Sequence, residues 1–432
     1  MMATVPFHRL ECLSNDDSWS LFKRRAFGMG TNEGNPNLET IGSKIEQRCG
    51  GVPLAIKATG SILCFKSLES EWLHVRDSEI WDLEDEASRI LAVLRLSYEH
   101  LPSYMRQCFS FCSIFPKDYV MNKDELIGLW MAPGFIPSHH WICTIQGVKY
   151  SLKRYEICVI DSNKRLKLPK TDRLLFIHTS NSPTNIVDLS KLQPLRSLIL
   201  DRDLVFRSAS NISNQKYLKV LDFGRRLSNI AFKSLKQLRY FCLHDHRVKT
   251  LPESTNSLHN LQTLNLERCR SLKMLPKGMK YLKNQRYLDL RGCDDLISMP
   301  VGLGQLSCLR KLSKFIAGKD KGCGIDELNE LAIEGELSIT GLCNVKNSKE
   351  AENANLIKKQ NLRSLSLTWQ NRESTHHQHI NDEKVLNALQ PRSSLKKLCI
   401  TGYQGVRFPN WMNDLLLPNL VEISLEDCER CD

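Results

Sequence analysis

A chain of 432 residues with 25% charged and 41% hydrophobic residues has an ordinary globular composition, which excludes disordered or fibrous character and sets an expectation of two or three structural units. No run reaches 18 apolar residues. The best stretch, Val52 to Phe65, carries Lys57, and MMATVPFHRLEC lacks a basic-then-apolar leader, so neither a membrane span nor secretion is expected and the 16 Cys read as reduced thiols of a cytoplasmic protein.

The net charge of +12 is unevenly placed. Residues 1–150 hold 15 Lys and Arg against 18 Asp and Glu, whereas 151–432 hold 45 against 30. The basic excess belongs to the second part, where it suits an anionic partner or a well-solvated surface.

In chain order, residues 13–136 read as amphipathic helices. Ser14 and Asp17 make a capping box, after which Trp19, Phe22 and Ala26 share one face. Pro36 opens a second helix with Leu38, Ile41 and Ile45 at helical spacing, and Gly50-Gly51 ends it. Pro53 starts a third helix, EWLHV (71–75) a fourth segment, and Ile90, Leu91 and Leu94 mark another. Pro102 begins one in which Met105, Cys108, Phe109 and Cys112 form a stripe. The Cys pair reads as core packing, because no His or second Cys pair lies in register.

Beyond residue 190 the chain repeats. Pro252, Pro276 and Pro300 are 24 residues apart, as are Leu258, Leu282 and Leu306. Between them LQTLNLERC (261–269) and QRYLDLRGC (285–293) fit L-x-x-L-x-L-x-x-C, and further copies start at Leu195, Leu218, Leu238, Leu309, Leu362, Leu395 and Leu420. Each x-L-x-L piece predicts a strand with Leu inward, followed by an irregular return along the convex side from Leu-Pro. Cys269, Cys293 and Cys428 are expected to meet buried backbone at the turn. The regularity breaks between Leu309 and Leu362, where 335–345 supplies a strand and 350–359 a helical return. QNRESTHHQHINDEK (370–384), with His376, His377 and His379, reads as a surface loop before a helix at Val385.

These residues carry a family resemblance. LECLSNDDSWSLFKRRAFG (10–28), IGSKIEQRCGGVPLAIKA (41–58), GGVPLAIKATGSIL (50–63) and the run from Leu94 to Ile136 resemble the NB-ARC segment of plant nucleotide-binding leucine-rich-repeat immune receptors of the coiled-coil class, and YEICVID leads into repeats of the same irregular kind. The resemblance implies an α-helical NB-ARC remnant (1–98), a truncated winged-helix region (99–137), a junction (138–190) and an α/β leucine-rich-repeat solenoid, or horseshoe (191–432). It further implies a defence-response protein that recognises a pathogen effector, a guarded host protein or another receptor chain.

In that family the module binds ADP and exchanges it for ATP. The chemistry needs G-x-x-x-x-G-K-[ST], whose backbone N–H groups cradle phosphates. This sequence has none: its single Gly-Lys pair, Gly318-Lys319, precedes Asp320, and GMGTNEG (28–34) has no Lys in place. No Met-His-Asp occurs either, and His139 and His140 do not match it. The resemblance leaves Gly51, Val52, Pro53 and Leu54 as a residual adenine-side element, so no cofactor is expected. The chain reads as lacking the family's sheet-bearing half before residue 1. The full ADP/ATP switch and a non-functional fragment stand as alternatives.

No nucleophile–base set or metal cluster emerges, and the terminal pair Cys428 and Cys431 lacks the helix start that redox use requires. The sequence reads as a non-enzyme with a protein partner. Nucleic acid is not expected, since no reading motif accompanies the charge. The residue after the first template position is basic in seven repeats: Arg196, Lys219, Arg239, Arg286, Arg310, Arg363 and Lys396. With Gln262 and Val421 they are expected to stack in a column facing an acidic partner, such as the acidic N-terminal part of the same or a related chain. Trp19, Phe22 and Leu54 are expected to be exposed.

Overall fold

The computed structural model describes residues 11–28, 35–78, 81, 94–113, 115, 119, 121–136, 158–160, 174–177, 195–205, 212, 215–225, 232–244, 247–369, 376–412 and 416–428. They divide into two compact units, the first running to Ser110 and the second from Phe111 onward. Ile90, Leu91, His139, His140, Cys431 and most of 138–190 lie outside the described residues.

The first unit is helical: α1 (Asn15–Ala26), α2 (Pro36–Arg48), α3 (Pro53–Leu63), α4 (Glu69–Arg76) and most of α5 (Ser103–Cys112). Capping chemistry sets the starts. The Ser14 hydroxyl accepts the Asp17 amide, Asn35 accepts the amides of Asn37 and Leu38, and Pro36 and Pro53 stand where no amide partner is needed. Gly50 and Gly51 end α2 with φ of 61° and 72°, a left-handed turn that favours glycine.

Phe22, expected to be exposed, is fully buried. It packs edge-on against Trp72 at 6.5 Å, and the half-buried Trp19 stacks on it at 5.6 Å. The helices supply one another's apolar partners, so this unit has its own core of Phe22, Ile45, Ile56, Leu63 and Trp72. Leu54 alone of the three is exposed, at 40%. In α5 the inward aromatic is Phe111, not Phe109, because Phe115 and Phe135 lie at 6.3 and 5.9 Å on that side.

The second unit holds α6 (Lys123–Met131), capped by Asn122, and two parallel sheets. The first is eight-stranded, in chain order: β1 (Cys158–Ile160), β2 (Leu174–Ile177), β3 (Ser197–Val205), β4 (Val220–Arg225), β5 (Tyr240–Leu243), β6 (Thr263–Asn265), β7 (Tyr287–Asp289) and β8 (Lys311–Leu312). The second is five-stranded: β9 (Lys314–Ile316), β10 (Gly335–Thr340), β11 (Leu362–Thr368), β12 (Lys397–Thr401) and β13 (Glu422–Glu426).

Register follows the repeat. Leu198, Leu221, Phe241, Leu264, Leu288 and Leu312 stand side by side, as do Leu337, Leu365, Leu398 and Ile423. Apart from the exposed Ile423, these rows feed one continuous apolar core. Return segments contain 3₁₀ turns, with Pro252 and Pro276 preceding those at Glu253–Ser257 and Lys277–Tyr281. The turn thiols act as expected: Cys269 donates to the Leu243 carbonyl and Cys293 to that of Leu266, both at 3.2 Å, while Cys428 lies 3.7 Å from Ile400 O.

The insertion after Trp369 differs from expectation. A helix, α7, begins at His376 and runs to Ala388. Only its second half carries an apolar stripe (Val385, Leu386, then Leu389), so the polar first turns were silent to hydrophobic periodicity.

Candidate functional site

The alternate positions of β3–β7 point away from the leucine core, yet they are buried: Ser197, Ile199, Val220, Tyr240, Cys242, Thr263, Asn265, Tyr287 and Asp289. The equivalents in β10–β12, such as Ser338, Ser366 and Thr401, are half-exposed. α6 contributes to the difference. At Gly128 an added Cβ would lie 3.0 Å from the Tyr240 ring and 3.4 Å from Thr263 Oγ1, so glycine permits close approach of helix and strands. Ile127, Leu129, Trp130 and Met131 are buried in the same segment.

Charge fixes the ends of this contact. Asp124, in the first turn of α6, pairs with Lys311 on β8, whose Nζ also lies 5.8 Å from the Tyr287 ring centre. At the other end Arg239 donates to the Ala132 carbonyl at 3.3 Å, where a cation favours the negative end of the helix dipole. Between them Glu125 Oε1 lies 3.6 Å from His244 Nε2, and Cys242 Sγ lies 3.1 Å from the same nitrogen.

On β7 the buried Asp289 accepts from the Tyr287 hydroxyl at 2.6 Å and from Arg291 Nη2 at 2.6 Å and Nε at 3.1 Å. Burial pushes its carboxyl up, but the Arg291 and Tyr287 hydrogen bonds outweigh it and leave the pKa below the ordinary value. Burial and the Asp289 charge raise the Tyr287 phenol, which therefore stays a donor.

The basic residues stack through their backbones. Successive amide-to-carbonyl bonds of 2.7–2.8 Å link Arg196 to Lys219, Arg239, Gln262, Arg286, Arg310 and then Glu334; Arg363, Lys396 and Val421 form a second run. Glu334 thus interrupts a column that the sequence pattern made continuous. Burial, then the charges of Arg239 and Arg196, lowers the Lys219 pKa. Arg196, Arg363 and Lys396 are exposed and the others half-buried.

The Gly51–Leu54 element is a helix start in the first unit. Gly51 O accepts the Leu13 amide at 2.9 Å and Val52 O accepts that of Ile56 at 3.1 Å. Cys112 lies beside Trp130, and its thiol is pushed up to about 11 by burial. Among the described residues the one group with metal-ligand composition is Glu125, Cys242 and His244. Sequence reasoning missed it, since Glu125 is remote in the chain and Cys242-x-His244 matches no familiar ligand spacing.

Parallel strands stacked in chain order, with leucine rows inside and buried thiols at the turns, define a leucine-rich-repeat protein; here a short helix lies against its strand face. Comparison with known proteins agrees. A family model described as R13L1/DRL21 LRRs matches residues 325–432, and the disease resistance protein winged helix domain matches 114–145. Disease resistance protein RGA2 of Solanum bulbocastanum is 41% identical across all of this chain and 46% of its own length. Putative disease resistance protein RGA1 of the same species is 41% identical over 100% of the chain and 45% of its own. The Arabidopsis thaliana putative disease resistance RPP13-like protein 1 is 33% identical over 100% and 46%. The chain belongs to this family of plant nucleotide-binding leucine-rich-repeat disease resistance proteins, and it spans about half the length of these relatives.

Proposed function

We propose that this chain serves plant defence as a non-enzymatic recognition protein of the cytoplasm, its repeats forming one horseshoe solenoid that meets an acidic protein surface through the basic column. The observation that carries this reading is the backbone ladder, which sets Arg196, Lys219 and Arg239 one strand spacing apart, then Arg286 and Arg310 beyond the neutral Gln262, with Arg363 and Lys396 in a second run. That spacing is about 5 Å, inside a screening length of about 8 Å at physiological salt, so the fields add. Arg239 is engaged with Ala132 O and Arg310 with the carbonyls of Ser307 and Leu309, whereas Arg196, Arg363 and Lys396 are exposed and serve as the test positions.

The test is fluorescence anisotropy of a labelled poly-glutamate peptide across a salt series. Replacing Arg196, Arg363 and Lys396 together by Gln weakens binding and flattens its salt dependence. An unchanged salt slope refutes the reading.

A second element of the proposal is that these 432 residues do not act as a nucleotide switch. Its support is that no G-x-x-x-x-G-K-[ST] occurs among them, so the Gly51–Leu54 start has no phosphate cradle beside it. Titration calorimetry with ADP and Mg²⁺ decides it. A dissociation constant near 1 μM, about −8 kcal/mol, contradicts the proposal.

A further inference from the structure

We propose that Glu125, Cys242 and His244 form a zinc site that fastens α6 to the strand face of the repeats. Their ligand atoms, one carboxylate oxygen, one sulfur and one ring nitrogen, lie within 4.8 Å of one another. Tetrahedral zinc with ordinary bond lengths to S, N and O places such atoms about 3.3–3.6 Å apart. The S···N separation here is 3.1 Å and the N···O separation 3.6 Å, both within a few tenths of an ångström of that spacing, and the sulfur and carboxylate oxygen lie within 4.8 Å of each other.

The imidazole is oriented for this role. His244 Nδ1 lies 3.0 Å from the Glu267 carbonyl, which can only accept, so Nδ1 carries a proton. In the neutral ring Nε2 then presents its lone pair toward Cys242 and Glu125. A backbone carbonyl on the far nitrogen is the usual outer-shell device for holding a metal-binding imidazole.

Burial and charge favour a cation of this class. Cys242 is fully buried, and the His244 and Glu125 side chains are 8% and 15% exposed. Asp222, on the adjacent strand, is a further carboxylate facing Cys242. Without a cation, burial and the charges of Asp222 and Glu125 keep Cys242 a thiol. A divalent ion reverses that field.

On binding, the S–H bond breaks, the sulfur keeps the electron pair and donates it to the ion, and one proton leaves to solvent. A water completes four-coordination. The S, N and O donor set suits zinc better than magnesium or calcium, which prefer oxygen alone.

The full chain, stripped with chelator and dialysed against one equivalent of Zn²⁺ or Co²⁺, tests the assignment. The expected result is one ion per chain by elemental analysis, with a thiolate-to-cobalt charge-transfer band that Cys242→Ser abolishes. Glu125→Gln, in a partly exposed helical turn that tolerates the change, weakens binding by roughly tenfold or more, and Cys399→Ser leaves it intact. Circular dichroism confirms that each variant folds. Absence of a stoichiometric ion overturns the proposal, as does full retention by folded Glu125→Gln or Cys242→Ser protein, which would place the metal on other thiols.

Discussion

Lys359 is 2% exposed, and its ammonium donates to the carbonyls of Leu328 and Leu331 at 2.7 Å each, joining two segments of the return side. Burial lowers its pKa from 10.5 to about 8, with Glu330 offsetting only part. The fall of about 2.5 units corresponds to about 3.4 kcal/mol at 1.36 kcal/mol per unit. The sign follows from proton counts. Between pH 8 and 10.5 the unfolded chain keeps the Lys359 proton that the folded chain releases, so stability rises with pH across that window and this residue gives no slope below it.

Lys359→Met keeps the bulk and removes the titration. At pH 7 the variant escapes the cost of a buried charge but leaves two carbonyls without a donor, at about 1–3 kcal/mol each, so the two effects largely cancel. Urea unfolding of both proteins at intervals from pH 7 to 10.5 should show wild type gaining about 3 kcal/mol on the variant over this range. Other titrating groups cancel in the difference. A difference that stays constant with pH would refute the assignment of a buried, charge-strained lysine.

Gln285 stands at a template leucine position, fully buried, with its Nε2 bonded to Tyr287 O but its Oε1 without a partner. Gln285→Leu should stabilise the repeats by about 1 kcal/mol, read as a higher urea midpoint at unchanged slope. Arg291→Met strands the buried Asp289 carboxylate and should cost about 3 kcal/mol at pH 7. Because the Asp289 pKa is lowered when folded, wild type should lose this stabilisation as pH falls through the acid range below 3.8, and the variant should show a smaller acid loss. Hydrogen exchange should separate the units: amides of α6 should follow those near Leu264 and Leu290, whereas α1–α4 should open at their own, lower free energy. Equal protection of α2 and β6 would count against the division at Ser110.

The repeat was legible because it is written in local chemistry. A period of 24 residues between Pro252, Pro276 and Pro300 forces equivalent backbone paths, and the leucines between them can be buried only by stacking coils in order. Caps at Ser14 and Asn35, the glycine stop at Gly50 and the thiol-to-carbonyl bonds of Cys269 and Cys293 rest on contacts within a few residues or between adjacent coils. What needed the tertiary structure was every partner set by long-range packing. Phe22 is hidden by Trp72, and the outward face of β5–β7 is closed by α6. Periodicity records which side of a strand faces the core, but it carries no information about what covers the opposite side. Glu125, Cys242 and His244 meet only because Gly128 lets a helix more than a hundred residues away lie flat on Tyr240.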